Sequence, residues 1–477
     1  MVREADSSSR EVYARLDGAL PADRAEIVLQ LIEAHPRGRL TLPSQHGLHA
    51  MLDELDLSRE ALEARLSPGT PAPPWWDSVL DRASLVNADL RGASLRLAHL
   101  RGVNLSEANL QDALLGGADL SEAKLEGVNF RCADLAGARL EDAVFNGACL
   151  QRAMLEDANL RSSEMRFSEL QASVLEGADL EGADLWGACL DDAVLVHAKL
   201  TDTKLQEAKL RHADLSGAEL RSAHLEKADL KGACLGGADL RGTSLGGASL
   251  QHAILRDAKL HDLDLLSCNI SGVHLSGAWL ERTRLRREQL GDAIGEELAG
   301  QYTAAGRGYL GLERNFAQLG DPDATSWAYR KRRQMQKLAA LGEARAAWGE
   351  RSLREAMGRY ASYLTDLFVE WLCDYGESIP RVLRAMFVGY VFFALLYGLT
   401  DSVVRVEDGP DGIQKVLTRD ALDLAVFSLL AMTTSGSPVV GLFPRHEFVH
   451  FLTGIEALLG IFLTGLLGFI VGNRIRR

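Results

Sequence analysis

The stretch LVNADLRGASLRLAHL, residues 85–100, sets Leu85, Leu90, Leu95 and Leu100 at intervals of five. The beat runs unbroken to Leu290, with Phe130, Phe145, Met165 and Ile270 standing in for leucine. Two places before the large residue sits a small one, as at Ala88, Ala93, Ala98 and Ala108. One place before it is often Asp or Asn, as at Asp89, Asn109, Asp119 and Asp134. A period of five scatters the leucines around a helix. On a flat strand it sends alternate leucines to opposite faces. One shared interior requires the backbone to turn a corner every five residues, which builds a solenoid of stacked coils. The Leu and Ala positions then face inward, and the other three residues of each unit face water.

This pattern resembles the pentapeptide-repeat family, whose signature is A-(D/N)-L-x-x. The resemblance implies a right-handed quadrilateral β-helix with four units per coil over residues 81–290. At an inter-strand spacing of about 4.8 Å, about ten coils make a rod roughly 50 Å long. The family serves as scaffold, as target-binding surface and, in some members, as a DNA mimic. The repeat here mixes acidic and basic residues, which argues against mimicry.

The net charge of −14 over 477 residues disfavours nucleic-acid binding. The cysteines Cys132, Cys149, Cys189, Cys234, Cys268 and Cys373 form no C-x-x-C pair and no metal-ligand cluster. Reduced thiols, no metal and no cofactor are therefore expected. No nucleophile–base arrangement or phosphate-binding loop marks an enzyme. The first residues, MVREADSSSREVYARL, lack an apolar run, so no cleaved secretory signal is expected.

Upstream of the repeat, residues 1–66 read as a small helical domain, with Ile27, Val28, Leu31 and Ile32 at helical spacing. Leu48, Met51, Leu52 and Leu55 repeat that spacing. Capping the solenoid is its expected role. A Pro-rich linker covers 67–80, and Trp75 and Trp76 are placed to cover the first coil. Downstream, 291–350 reads as an α-helical hairpin linker that resembles a single tetratricopeptide-like unit. Its basic run, Arg330-Lys331-Arg332-Arg333, reads as a solvated face or a contact with anionic lipid. Residues 351–379 then read as an amphipathic helix lying along a membrane surface. Trp186 and Trp279 fall at outward positions of the repeat.

Residues 380–477 read as a two-transmembrane domain. Val382 to Thr400 and Phe448 to Val471 are long and apolar enough to span a bilayer. Arg381 and Arg384 precede the first, and Arg474, Arg476 and Arg477 follow the second. The positive-inside bias puts both termini in the cytoplasm, as a multi-pass protein of a bacterial inner membrane. Between the spans, Asp420 to Thr434 is a short apolar helix, too short to cross, followed by Ser435-Gly436-Ser437-Pro438. A half-length helix with a small-residue return is a re-entrant loop, tolerated where it lines a cavity. The loop Asp401–Asp423 carries six acidic and three basic residues, which concentrates cations.

The layout resembles the two-transmembrane, potassium-channel-like pore family. Met432-Thr433-Thr434 matches the end of that family's pore helix. Thr434, Ser435 and Gly436 fall on the first three places of T-x-G-Y-G, while Ser437 replaces the Tyr and Pro438 the second Gly. The resemblance implies an ion filter at Thr433, Thr434, Ser435, Gly436, Ser437 and Pro438, monovalent cations as permeants, contact with membrane lipid, and a homotetramer. Proline at a position needing positive φ makes full potassium selectivity doubtful on the residues themselves. Glu456 reads as support behind the filter, and Gly460 and Gly465 as close-packing or hinge positions. The leading expectation is a cation channel governed by a cytoplasmic repeat that binds a ligand or protein. The alternative is a non-conducting, membrane-anchored scaffold.

Overall fold

The computed structural model describes residues 85–349, 353–409, 412–434 and 442–476. The N-terminal helices, the 67–80 linker, Trp75, Trp76 and the 435–441 segment lie outside them. The chain divides into two compact units between Thr325 and Ser326.

In the first unit the repeat forms stacked coils of twenty residues. Parallel bridges join each outward strand residue to the one twenty further on, as in Asp89 to Asn109 and Asn109 to Asn129. Four five-residue sides therefore make one turn of the solenoid. Each side is held to the next coil by backbone bonds such as Leu90 N–H to Asn109 O, 2.7 Å, and Asn109 N–H to Ala88 O, 2.8 Å. The large residues and alanines from Leu100 to Leu260 are essentially sealed from solvent. Where Ser or Thr replaces the inner alanine, the hydroxyl is buried and donates to a carbonyl, as Thr203 does to Leu180 and Ser168 to Met165.

Every corner is a tight turn in which the N–H of the inner small residue returns to the preceding large residue, as Ala93 does to Leu90 at 3.1 Å. The second corner residue has positive φ at every corner from Asn87 to Arg282 except Ser267. That conformation identifies type II turns and accounts for the many glycines there. The residue before the leucine is not simply solvated, as the sequence suggested. Its carboxylate or amide oxygen accepts the N–H of the first corner residue, as in Asp119 with Ser121 and Asn129 with Arg131, both 3.1 Å. Asp and Asn are favoured there because a short polar side chain braces the turn.

The last coil is closed by α1 (Gly295–Leu298) and α2 (Tyr302–Leu319). Gln289 first donates to the carbonyls of Leu265, Leu266 and Cys268. Glu296, fully buried, accepts the Ser276 N–H at 2.5 Å, and Asn315 donates to the Thr283 carbonyl at 2.9 Å. These side chains satisfy an edge that would otherwise invite pairing. Helix α2 ends at Gly320 in the left-handed region, φ 73°. Asp321 then caps α3 (Pro322–Gly349) by accepting the Ala324 N–H at 3.0 Å. The two helices anticipated as one hairpin thus divide. The first belongs to the solenoid's end, and the unit boundary falls within the second.

The second unit contains α4 (Leu353–Cys373), α5 (Ile379–Leu399), α6 (Ala421–Thr434) and α7 (Glu447–Arg476). It also contains β1 (Val403–Gly409), β2 (Gly412–Leu417) and β3 (Leu442–Pro444). The strands form an antiparallel sheet in the order β2-β1-β3, with Val404 opposite Leu417 and Phe443. The sequence presents Asp401–Asp423, which holds β1 and β2, as a polar, acidic loop. The alternation Val403-Arg405 and Val404-Val406 was too short to stand out.

The basic run on α3 is not a free face either. Arg330 reaches Asp374 at 3.4 Å, Arg333 reaches Asp366 at 2.6 Å, and Lys337 pairs with Glu370. Arg381 at the start of α5 also meets Asp374, at 3.2 Å. The opposite face of α4 leaves Met357, Leu364, Phe368 and Trp371 exposed. The α4–α5 elbow bends through Asp374, Tyr375 and Gly376, all with positive φ (51°, 59° and 89°).

Candidate functional site

Helix α5 has 21 residues, and the apolar part of α7, Glu447–Gly472, has 26. Both are long and apolar enough to cross a membrane. Helix α6 has 14 residues, about 21 Å at the helical rise, so it stops well short of a bilayer's thickness. Its start is capped by Asp420, whose carboxylate accepts the Leu422 N–H at 3.1 Å.

Three side chains, one from each of these helices, meet in the packed interior. Glu456 on α7 is fully buried. One of its oxygens accepts the Tyr397 hydroxyl of α5 at 2.7 Å, and the other pairs with the Ser428 hydroxyl of α6. The Ser428 oxygen also lies 3.1 Å from the Tyr390 carbonyl. Tyr397 packs edge-on against Phe427, with ring centroids 5.2 Å apart. The helix that carries Glu456 places Val449, Glu456, Leu463 and Ile470 seven apart, and all four are buried. A heptad-spaced face meets α5 and α6, with the carboxyl held where its polar partners converge.

Gly460 and Gly465 separate sharply. A Cβ on Gly460 would lie 2.0 Å from the Met432 carbonyl oxygen, in the last turn of α6. Gly460 is therefore a close-packing position. A Cβ on Gly465 would meet nothing within 4 Å, and the same is true at Gly454, Gly468 and Gly472. Of the predicted filter residues, Thr433 is exposed and its hydroxyl returns to the Leu429 carbonyl at 2.7 Å. Thr434 is the last residue of α6. Ser435, Gly436, Ser437 and Pro438 lie outside the described residues. The structure thus joins Glu456 and Gly460 to α6 and leaves Gly465 open. Ser428 and Tyr397, the partners of Glu456, are not among the sequence-predicted site residues. The signal for them was a buried ionisable residue needing donors on both neighbouring helices.

The acidic segment between α5 and α6 is partly neutralised. Asp401 is bound by Arg419 at 2.6 Å and Asp423 by Arg405 at 3.1 Å. Among the described residues no group of His, Cys, Asp and Glu could hold a metal ion.

A family model described as pentapeptide repeats matches residues 83–121, 104–142, 123–162, 158–196, 198–237 and 233–265. No curated protein matches. The chain is similar to HetL, a pentapeptide repeat protein involved in heterocyst differentiation regulation from the cyanobacterium Nostoc sp. strain PCC 7120. Identity is 34%, over 42% of this chain and 90% of that one, with a TM-score of 0.28. Rfr23 from the cyanobacterium Cyanothece 51142 is 33% identical over 20% of this chain and 58% of its own length, with a TM-score of 0.15. QnrB1, a plasmid-mediated fluoroquinolone resistance protein, is 18% identical over 42% of this chain and 90% of its own, with a TM-score of 0.22.

Proposed function

We propose that this chain, a pentapeptide-repeat protein through residues 83–265, is a membrane channel for cations whose repeat serves as a cytoplasmic sensor or scaffold. The observation that carries the reading is the half-length helix α6. It lies against two spanning-length helices and is locked to both through Ser428 and Glu456. In a bilayer a helix of this length ends at mid-depth, where it brings the negative end of its dipole and the Thr433 hydroxyl. One such helix per chain makes a quarter of a filter, so the working assembly is a homotetramer in a bacterial inner membrane, with both termini cytoplasmic. The exposed apolar face of α4 rests on lipid at the inner surface. Ser437 and Pro438 replace the Tyr and Gly of the resembled filter, so the permeants are monovalent cations with weak or atypical preference for potassium.

Pro438 also favours the second reading, a non-conducting anchored scaffold, because its fixed φ cannot complete a ladder of carbonyl rings. Rubidium, sodium and chloride flux from reconstituted, tetrameric full-length protein separates the two. Cation flux that changes in Thr434→Ala and rises in selectivity in Pro438→Gly supports the channel. Absence of flux in all three proteins supports the scaffold.

A further inference from the structure

The aromatic residues of the repeat divide by position. Phe130 and Phe145 lie inside the solenoid, and Phe167, Trp186 and Trp279 lie outside. Phe167 and Trp186 meet edge to face at one corner, with ring centroids 4.9 Å apart. Even in contact they stay 57% and 37% exposed. The corner's own geometry builds the pair. Phe167 is a second corner residue, with φ 55°, and its ring folds over the same place on the next coil. That place is Gly187, where a Cβ would lie 2.7 Å from the ring, so only glycine lets the ring settle there. Trp186 is fixed by its backbone N–H on an Asp184 oxygen at 3.2 Å. On the preceding coil the same corner carries Gly147, where a Cβ would meet nothing within 4 Å.

The charges around the rings are unevenly committed. Both neighbouring cations sit on one carboxylate. Arg166 donates two N–H groups to Asp184, at 2.9 and 2.7 Å, and Lys204 lies 3.5 Å from the same oxygen. Glu164 and Glu169 flank Phe167, one on each side of the corner, and both are exposed. Glu164 accepts the Asn146 amide at 3.3 Å, and Glu169 accepts the Gln151 amide at 3.0 Å. Arg166 lies within electrostatic range of Glu164, but its guanidinium is bonded to Asp184. Lys209 stands two coil steps beyond Glu169 on the same line, about 10 Å away. Two aromatic faces are thus set between two carboxylates whose hydrogen bonds come from neutral amides.

We propose that this corner is a docking point of the repeat for another protein, and that the group it takes is an arginine side chain of that partner. A guanidinium stacks on an aromatic face and forks onto a carboxylate at the same time, which an ammonium does less well and an apolar side chain not at all. Trp and its aromatic neighbour are the residue types on which interface energy concentrates. An acidic segment is disfavoured, because Glu164 and Glu169 would face it while Arg166 and Lys204 stay on Asp184. The inference rests on the scaffold-or-sensor part of the reading above and does not depend on conduction.

The probe is a fluorescein-labelled peptide, Gly-Arg-Gly-Arg-Gly, titrated by anisotropy into purified full-length protein in detergent. A citrulline version, uncharged but of similar shape, is expected not to bind at the same concentrations, and a lysine version is expected to bind about threefold more weakly or worse. Trp186→Ala is expected to weaken binding about tenfold or more. Glu164→Gln combined with Glu169→Gln is expected to weaken it similarly and to flatten its salt dependence. Phe167→Trp, which keeps an aromatic face, is expected to retain binding, and Trp279→Ala, on a different side, to leave it unchanged. These side chains are exposed, so each variant should keep the wild-type unfolding temperature. Unchanged binding in Trp186→Ala, an equal loss in Trp279→Ala, or tighter binding of a glutamate peptide overturns the proposal. A benzophenone side chain placed at position 167 identifies the occupant. Cross-linking to the arginine peptide supports the proposal. A cross-link to a second copy, or to residues 1–84 of the same chain, that the peptide does not compete away overturns it. The titration does not read flux, so its failure leaves the channel reading standing, and a silent bilayer leaves the docking corner standing.

Discussion

The Glu456 carboxylate accepts the Tyr397 hydroxyl at 2.7 Å, across 59 residues of sequence, and both groups are sealed from solvent. Ser428 binds the other oxygen, so one side chain of α7 holds α5 and α6. Removing the hub leaves two buried hydroxyls without their acceptor. Glu456→Ala is expected to cost about 3 kcal/mol or more of stability in detergent, against about 1 kcal/mol for Tyr397→Phe. Thermal unfolding of the two variants and their double mutant checks this. The pair is coupled if the double mutant costs less than the sum of the two single variants.

Gly460 and Gly465 should respond oppositely to alanine. At Gly460 the added methyl meets the Met432 carbonyl at 2.0 Å, so Gly460→Ala is expected to displace the end of α6 and cost about 1–3 kcal/mol. At Gly465 there is open space, and Gly465→Ala is expected to be neutral or to stabilise by up to about 1 kcal/mol. Unfolding temperature reports the difference. Equal losses at both sites would show that the contact is not the cause.

The solenoid was legible from its leucines alone, because a five-residue period admits only one kind of interior. The corner chemistry was not, since the alternation of Gly with Asp, Glu and His at the positive-φ position has no fixed letter. The aromatic corner was hidden for a related reason: Phe167 and Trp186 lie nearly a coil apart in sequence and meet only once the coil length is known. In the helical unit, the two long apolar helices and the short one between them announced themselves by length and hydropathy. The sheet of β1, β2 and β3 did not, because its strands carry mixed residues and β3 joins β1 only from beyond α6. The α3–α4 ion pairs were equally hidden, since partners such as Arg333 and Asp366 lie 33 residues apart.

Asp239 makes a pH test of the ion pairs at the solenoid's corners. A hydrogen bond from Arg241, joined by Arg221, holds its carboxyl well below the usual carboxylate range despite burial. A depressed folded pKa contributes stability that is fully present above the ordinary value of 3.8 and is lost as pH falls through the folded value. Asp239→Asn is therefore expected to be less stable than wild type at neutral pH, by about 1–3 kcal/mol. The gap should close in strong acid. A difference that persists unchanged at the acid end would contradict this origin.

The elbow between α4 and α5 should depend on its arginine clamp. Asp374 binds both Arg330 and Arg381, and the Arg333 guanidinium sits over the Tyr375 ring at 5.2 Å. Two non-glycine residues in the left-handed region cost of order 1–3 kcal/mol each and persist only where neighbours hold them. Asp374→Ala is expected to speed proteolysis or hydrogen exchange at 373–378 while sparing the solenoid. Unchanged protection there would show that the clamp does not hold the bend.

The central claim is that α6 and the residues after it conduct cations, and reversal potential measures it most directly. Full-length tetramer in a planar bilayer under a KCl gradient is predicted to pass current reversing toward the potassium equilibrium potential, with the reversal or conductance altered in Thr434→Ala. Current reversing at the chloride potential, or a silent bilayer from tetrameric protein, would contradict the account.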